Sequence, residues 1–168
     1  MRQAEEDEYR EFVVARLDRW RRTAYLLCRD WHTADDLVSI TLARLYRTWT
    51  RVRRTENLDA YVRAMLTNAF LDEGRRPWRR EEATNTPPDR PDASPYPTIV
   101  DRAALADLLT ALPRRQRAIV VLRFYCDMSV AEVAQLLGVS EGTVKSQAAR
   151  GLEILRAAAP RVVQGETV

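Results

Sequence analysis

Five prolines fall within seventeen residues: Pro87, Pro88, Pro91, Pro95 and Pro97. No other feature restricts the fold as strongly. Each proline lacks a backbone donor and pushes the residue before it out of the helical region, so no long helix runs through 81–97. Thr84, Asn85, Thr86, Asp89, Asp92 and Ser94 add polar atoms and no core material. The stretch reads as a partly extended linker. It divides the 168 residues into about 80 before it and about 70 after it. Each part is large enough for one small core and too small for much more, so partners are expected to add to its working stability.

Before the linker the apolar spacing is helical. Phe12, Ala15, Leu17, Trp20, Ala24, Leu27 and Cys28 predict a helix over about 8–28. Thr33 reads as the cap of a second helix, which places Asp35 and Asp36 in its favoured first turn. Leu37, Ile40, Thr41, Leu45 and Trp49 form that helix's apolar face. A third helix is predicted over about 58–71, ending near Gly74 and before Pro77. Strand-type alternation is absent, so this half is an all-α bundle.

After the linker, Leu105, Leu108, Leu109 and Leu112 recur at helical spacing. Pro113 suits the first position of the next helix, whose buried side is predicted from Ile119, Val120 and Phe124. Ser129 and Glu132 have the spacing of a capping box, ahead of inward-facing Val133, Ala134 and Leu137. Gly138 permits a left-handed turn, and Ser140 caps a further helix with Val144, Ala148, Leu152 and Leu155 on one stripe. A short helix, a tight glycine turn and a longer helix make a helix-turn-helix. Glu141, Lys145, Ser146, Gln147, Ala149 and Arg150 lie on the outward face of the longer helix. Lys145 and Arg150 suit phosphates or base edges, and Gln147 suits adenine. The competing reading is an ordinary helical hairpin with a solvated face.

Composition narrows the function classes. The formal charge is +3, the pI about 9.1 and the mean hydropathy −0.40. Residues 1–80 carry a net +4, 81–100 a net −3 and 101–168 a net +2. Two mildly basic blocks thus flank an acidic connector, and placement argues for nucleic acid more than net charge does. Of 27 basic residues all but Lys145 are arginine, a planar fork suited to phosphate and guanine. No segment has the length or apolarity of a membrane span, and the acidic start lacks a signal peptide's apolar core. Cys28, Cys126 and the single histidine, His32, supply neither a disulfide framework nor a zinc cluster. His32 reads as a surface or capping residue and the cysteines as small, partly buried apolar groups. No Gly-rich phosphate loop, carboxylate pair or metal cluster suggests catalysis, so neither an enzyme nor a cofactor is expected.

Two signatures carry a resemblance to a known family. The first is Ala34-Asp35-Asp36-Leu37-Val38, then Leu42 to Trp49, then Tyr61-Val62-Arg63 onward to Arg80. The second is Leu112-Pro113, Gln116-Arg117 and Val121-Leu122-Arg123-Phe124. It continues through Ser129-Val130-Ala131-Glu132-Val133-Ala134 and Leu137-Gly138-Val139-Ser140 to Glu141-Gly142-Thr143-Val144-Lys145-Ser146. Together, in this order and with this linker, they resemble the second and fourth regions of bacterial extracytoplasmic-function RNA polymerase sigma factors, in the sigma-70 family. The resemblance implies two small helical domains, at 1–80 and 101–160, joined by a linker at 81–100 and followed by a tail at 161–168. It implies a cytoplasmic, non-enzymatic factor that recruits core RNA polymerase, recognises two promoter elements and assists strand opening.

The same resemblance assigns residues. Asp35, Asp36, Leu37 and Arg44 would contact the clamp helices of the polymerase. Asn68, Asp72, Arg75, Arg76, Trp78, Arg79 and Arg80 would serve promoter melting, where cations hold the backbone and aromatic surfaces capture extruded bases. Arg114, Arg115, Arg117, Glu141, Thr143, Lys145, Ser146, Gln147 and Arg150 would meet the upstream element as duplex DNA. Two departures stand out: Ser39 and Ile40 replace the family's usual Gln and acidic or polar residue, and Gln147 replaces a common Arg. The resemblance leaves room for a cognate anti-sigma factor. A stand-alone helix-turn-helix regulator with an N-terminal sensing bundle is the alternative.

Overall fold

The computed structural model describes residues 1–74 and 98–159, with side chains from 102 onward in the second stretch. Of the predicted linker at 81–100, residues 81–97 lie outside the described residues, while 98–100 are helical and correct its end; the tail at 161–168 also lies outside the described residues. The described residues are helical, with no strand among them. They fall into two units, Met1–Asp92 and Ala93–Val168.

The first unit is a three-helix bundle of α1 (Gln3–Cys28), α2 (Trp31–Val52) and α3 (Leu58–Glu73). Its core is built around Trp20, Leu26, Leu27, Leu37, Leu45, Trp49, Leu66 and Phe70. α1 begins five residues before the predicted start, because its acidic opening is helix-favouring. The Glu5 carboxylate accepts from the Arg2 backbone N–H at 3.1 Å, satisfying a donor the helix leaves unpaired. Ala15, predicted on the buried face, is exposed, and Val13 and Thr23 take the interior instead. α1 ends with Arg29 in the left-handed region, φ 59°, leaving only a two-residue corner before α2.

That corner corrects the predicted cap of α2. Asp30, not Thr33, is the N-cap: its carboxylate accepts from the backbone N–H groups of His32 and Thr33, both at 3.2 Å. The Thr33 hydroxyl donates to the same carboxylate at 2.6 Å. Asp was the better capping acceptor of the two, and its choice moves Asp35 and Asp36 beyond the first turn. His32 is exposed beside this cap. Asn57 caps α3 through the Ala60 N–H at 3.2 Å, and Gly74 closes it in ordinary right-handed geometry.

The second unit contains α4 (Thr98–Leu109), α5 (Arg114–Val120), α6 (Val130–Leu137) and α7 (Glu141–Ala158). Pro113 stands at the N-cap of α5 rather than at its first helical position, with φ −54° and ψ 151°. α5 widens into a π-helical turn over Val121–Tyr125, where the Cys126 N–H reaches the Val121 carbonyl at 3.0 Å. The extra residue in this turn rotates the side chains beyond it. Val121 and Leu122 turn inward, while Phe124, predicted to be buried, is 49% exposed. Ile119, Leu122, Met128, Val133, Ala134, Val144 and Ala148 close one core.

Candidate nucleic-acid and protein interfaces

α2 offers the first candidate surface. Its buried stripe is Ala34, Leu37, Val38, Thr41, Leu45, Trp49 and Val52. Leu37 is fully buried, so its side chain belongs to this stripe and not to the outer surface assigned to it from sequence. Asp35 and Asp36 are both exposed but differ in engagement. Arg21 of α1 grips Asp35 with two bonds, Nε to Oδ1 at 2.6 Å and Nη2 to Oδ2 at 3.3 Å. The same guanidinium lies 5.2 Å from the centre of the Trp31 ring, which stacks on Tyr25 at 4.2 Å. Asp35 is thereby tied to α1, whereas Asp36, Ser39, Ile40 and Arg44 stand on the open side. Ile40 is exposed rather than core-forming.

The end of α3 holds two of the seven residues assigned to opened DNA. Asn68 and Asp72 are exposed and one turn apart, on the same face. Thr67 just before them and Ala69 and Phe70 between them anchor the helix in the core. Arg75, Arg76, Trp78, Arg79 and Arg80 lie outside the described residues.

The helix-turn-helix forms as its sequence predicts. Ser129 Oγ accepts from the Glu132 N–H at 3.1 Å, and the reciprocal half of the capping box, from Glu132 back to Ser129, is not made. Gly138 takes φ 66° at the turn. Ser140 Oγ accepts from the Thr143 N–H at 3.1 Å and shares a 2.8 Å hydrogen bond with the Thr143 hydroxyl. Thr143 is thus committed to the cap, while Glu141, Lys145, Ser146, Ala149 and Arg150 are exposed along α7. Gln147 is half-buried at the edge of that face. Val144 and Ala148 fix the orientation of α7 by burying its other side. Arg115 is exposed at the start of α5, Arg114 is half-buried, and Arg117 donates to the Leu112 carbonyl at 3.0 Å. Such a face can enter a groove: small residues allow close approach, and cations at its middle meet phosphate or base edges.

Sequence reasoning missed a polar centre in the first unit. The Trp20 indole N–H donates to Asp59 Oδ1 at 3.0 Å, Arg63 pairs with the same carboxylate, and Arg16 approaches it at 4.0 Å. Asp59 and Arg63 have the helical i, i+4 spacing that announces a pair, but the link to Trp20 is 39 residues away and has no local signal. A second link was equally hidden: Arg53 pairs with Glu5 and Glu8, each at 3.1 Å. Among the described residues no group of three or more metal-ligating side chains occurs, and no helix is long and apolar enough to cross a membrane.

Comparison with known proteins gives the same division. Residues 12–80 match "Sigma-70 region 2", and residues 102–155 match "Sigma-70, region 4". The RNA polymerase sigma-E factor of Streptomyces coelicolor is 38% identical over 149 residues, covering 89% of this chain and 84% of that protein. The ECF RNA polymerase sigma factor SigE of Mycolicibacterium smegmatis is 36% identical over 161 residues, covering 92% of this chain and 62% of that one. The chain belongs to the extracytoplasmic-function group of the sigma-70 family. As a sigma factor it keeps the bundle in the region 2 match and the helix-turn-helix in the region 4 match, which favours this reading over a stand-alone regulator. The sigma factor's fold is similar to that of RpoE, solved in complex with the anti-sigma factor NepR from Bartonella quintana. The TM-score is 0.73 at 22% identity, covering 90% of this chain and 96% of that one. CnrH, solved in complex with the cytosolic domain of CnrY, gives a TM-score of 0.64 at 18% identity over 96% and 91% of the two chains.

Proposed function

We propose that this sigma factor acts in the cytoplasm, without covalent chemistry of its own, by directing core RNA polymerase to a set of promoters. The open side of α2, with Asp36 and Arg44, docks on the polymerase, and Asp35 contributes there through its tie to α1. Asn68 and Asp72, together with Arg75, Arg76, Trp78, Arg79 and Arg80, meet the opened downstream element. α7 reads the upstream element as duplex through Glu141, Lys145, Ser146, Gln147 and Arg150, with Arg114, Arg115 and Arg117 toward flanking phosphates. Domains at 1–80 and 101–160, a linker at 81–100 whose last three residues are taken by the start of α4 at Thr98, and a tail at 161–168 fit this division. An anti-sigma partner is consistent with the complexes in which both structural relatives were solved.

The observation that carries the proposal is the exposed face of α7, held by the Ser140 cap and the Gly138 turn, in a chain that also matches region 2. The test is reconstituted transcription with purified core polymerase and a promoter library. Promoter-dependent initiation supports the reading, and its absence across matched core enzymes and a broad library overturns it. Lys145→Ala or Arg150→Ala is expected to weaken upstream-element binding about 5- to 150-fold, from roughly 1–3 kcal/mol per specific contact, and to leave core association intact.

A further inference from the structure

Four arginines stand at the surface toward the end of α2 and in the turn after it. Arg44, Arg47, Arg51 and Arg54 are all exposed. Among the described residues, none of their guanidinium groups meets a carboxylate, a carbonyl or an aromatic ring. At 3.6 residues per turn, Arg44, Arg47 and Arg51 fall within about 60° of one another and span about 10 Å of helix. Arg54 stands in the turn after α2.

The acidic start of α1 does not neutralise this row. α1 packs on another flank of α2, where Glu6 accepts from the Tyr46 hydroxyl and Glu5 and Glu8 hold Arg53. Arg21 holds Asp35 on that flank too. The unit has therefore gathered Glu5, Glu6, Glu8 and Asp35 on one side of α2; of the other exposed carboxylates, Asp36 lies about two turns before Arg44 and Glu56 follows Arg54, and the stretch 44–54 between them carries charge of a single sign. A helix C-terminus favours cations only in its last turn, which accounts for Arg51 but not for Arg44 or Arg47.

A row of one sign, repeated along a line, fits a ligand with a repeated opposite charge. A phosphodiester backbone is such a ligand, and the arginine fork matches its oxygens in pairs. A protein would match the row only with an acidic patch of its own laid along the same line. We propose that Arg47 and Arg51, extended by Arg44 and Arg54, form a phosphate-binding row for a nucleic-acid backbone. This row is additional to the end of α3 and to α7. Arg44 stands at its border with the docking surface. That the nucleic acid is promoter DNA rests on the function proposed above, whereas the phosphate chemistry does not.

The experiment compares the full chain with Arg47→Ala/Arg51→Ala, each assembled with core polymerase on a promoter duplex, titrated across a salt series. Loss of two phosphate contacts is expected to flatten the slope of log K against log salt by about 1.4 to 1.8. Arg47→Lys/Arg51→Lys, which keeps the charges, is expected to retain most of the slope. Core affinity is expected to stay unchanged. An unchanged slope overturns the proposal. So does a fall in core affinity with the slope retained, because the row would then face an acidic polymerase surface. Should the alanine variant fail to fold, Arg47→Gln/Arg51→Gln keeps much of each stem and reads the same slope. If the wild-type chain does not assemble with core polymerase, the sigma reading fails by itself. The same titration of the free chain with single-stranded and duplex DNA then still decides the row.

Discussion

Replacing Asp59 by alanine is expected to unfold the first unit at markedly lower denaturant while leaving the second unit unaffected. Asp59 sits in the first turn of α3 and binds the indole N–H of Trp20, a side chain only 2% exposed. Its carboxylate also pairs with Arg63, with the two side chains 16% and 19% exposed. Removing it leaves a buried donor unpaired, which costs about 1–3 kcal/mol. The ion pair is partly solvated, so its loss adds only about 1 kcal/mol after screening. The total is about 3 kcal/mol, a large share of the stability of a small domain.

Asp59→Asn supplies a discriminating control. It keeps an acceptor for Trp20 and loses the charge, so its cost is expected to be about 1 kcal/mol. All four tryptophans, Trp20, Trp31, Trp49 and Trp78, precede the second unit. Indole fluorescence during urea unfolding therefore reports the first unit selectively. Equal effects of Asp59→Ala and Asp59→Asn would refute the claim that the indole bond dominates. A loss below about 1 kcal/mol for Asp59→Ala would refute the magnitude.

Three further outcomes rest on local geometry. Gly138→Ala meets no atom within 4 Å but must hold φ 66°, so it is expected to cost about 1–2 kcal/mol, read as faster hydrogen exchange in α6 and α7. Gly151 packs so closely that a Cβ there would lie 2.7 Å from Val120 Cγ2; Gly151→Leu is expected to loosen α7 from α5 at about 1–3 kcal/mol, with the same readout. Burial, then the neighbouring Tyr46, raises the Tyr9 pKa, and the hydrogen bond and charge of Glu6 raise that of Tyr46. The folded state thus keeps phenol protons that the unfolded chain releases near pH 10, so this contribution is full below about pH 10 and lost as pH rises through the folded values. Tyr9→Phe is expected to flatten the alkaline fall of the urea midpoint, and an unchanged fall would refute the assignment.

Periodicity was enough for the elements and their type, because amphipathic spacing is a local property that a helix must satisfy to bury its stripe. It was not enough for competition between neighbours. Asp30 and Thr33 both suited the α2 cap, and the tight corner after Arg29 put Asp30 at the position where both amides point. Phe124 shows the other limit. A helix pattern assumes a constant rotation per residue, and the π-helical turn at Val121–Tyr125 breaks it just where Phe124 would have turned inward.

The surface residues divide along the same line. α7 was legible because Ser140, Gly138, Val144 and Ala148 fix its orientation from within the segment itself, leaving Glu141, Lys145, Ser146 and Arg150 outward. The two aspartates of α2 were not, because their difference is set by Arg21, fourteen positions away on another helix. Adjacent residues on a helix diverge by about 100°, so packing against α1 captures Asp35 and leaves Asp36 on the open side. That separation makes a distinct claim about docking. Loss of Asp36 is expected to act on core affinity directly, and loss of Asp35 through the placement of α2. Core affinity measured for Arg21→Ala, Asp35→Ala and the double variant decides it. A double variant no weaker than either single one supports the indirect role, and additive losses refute it.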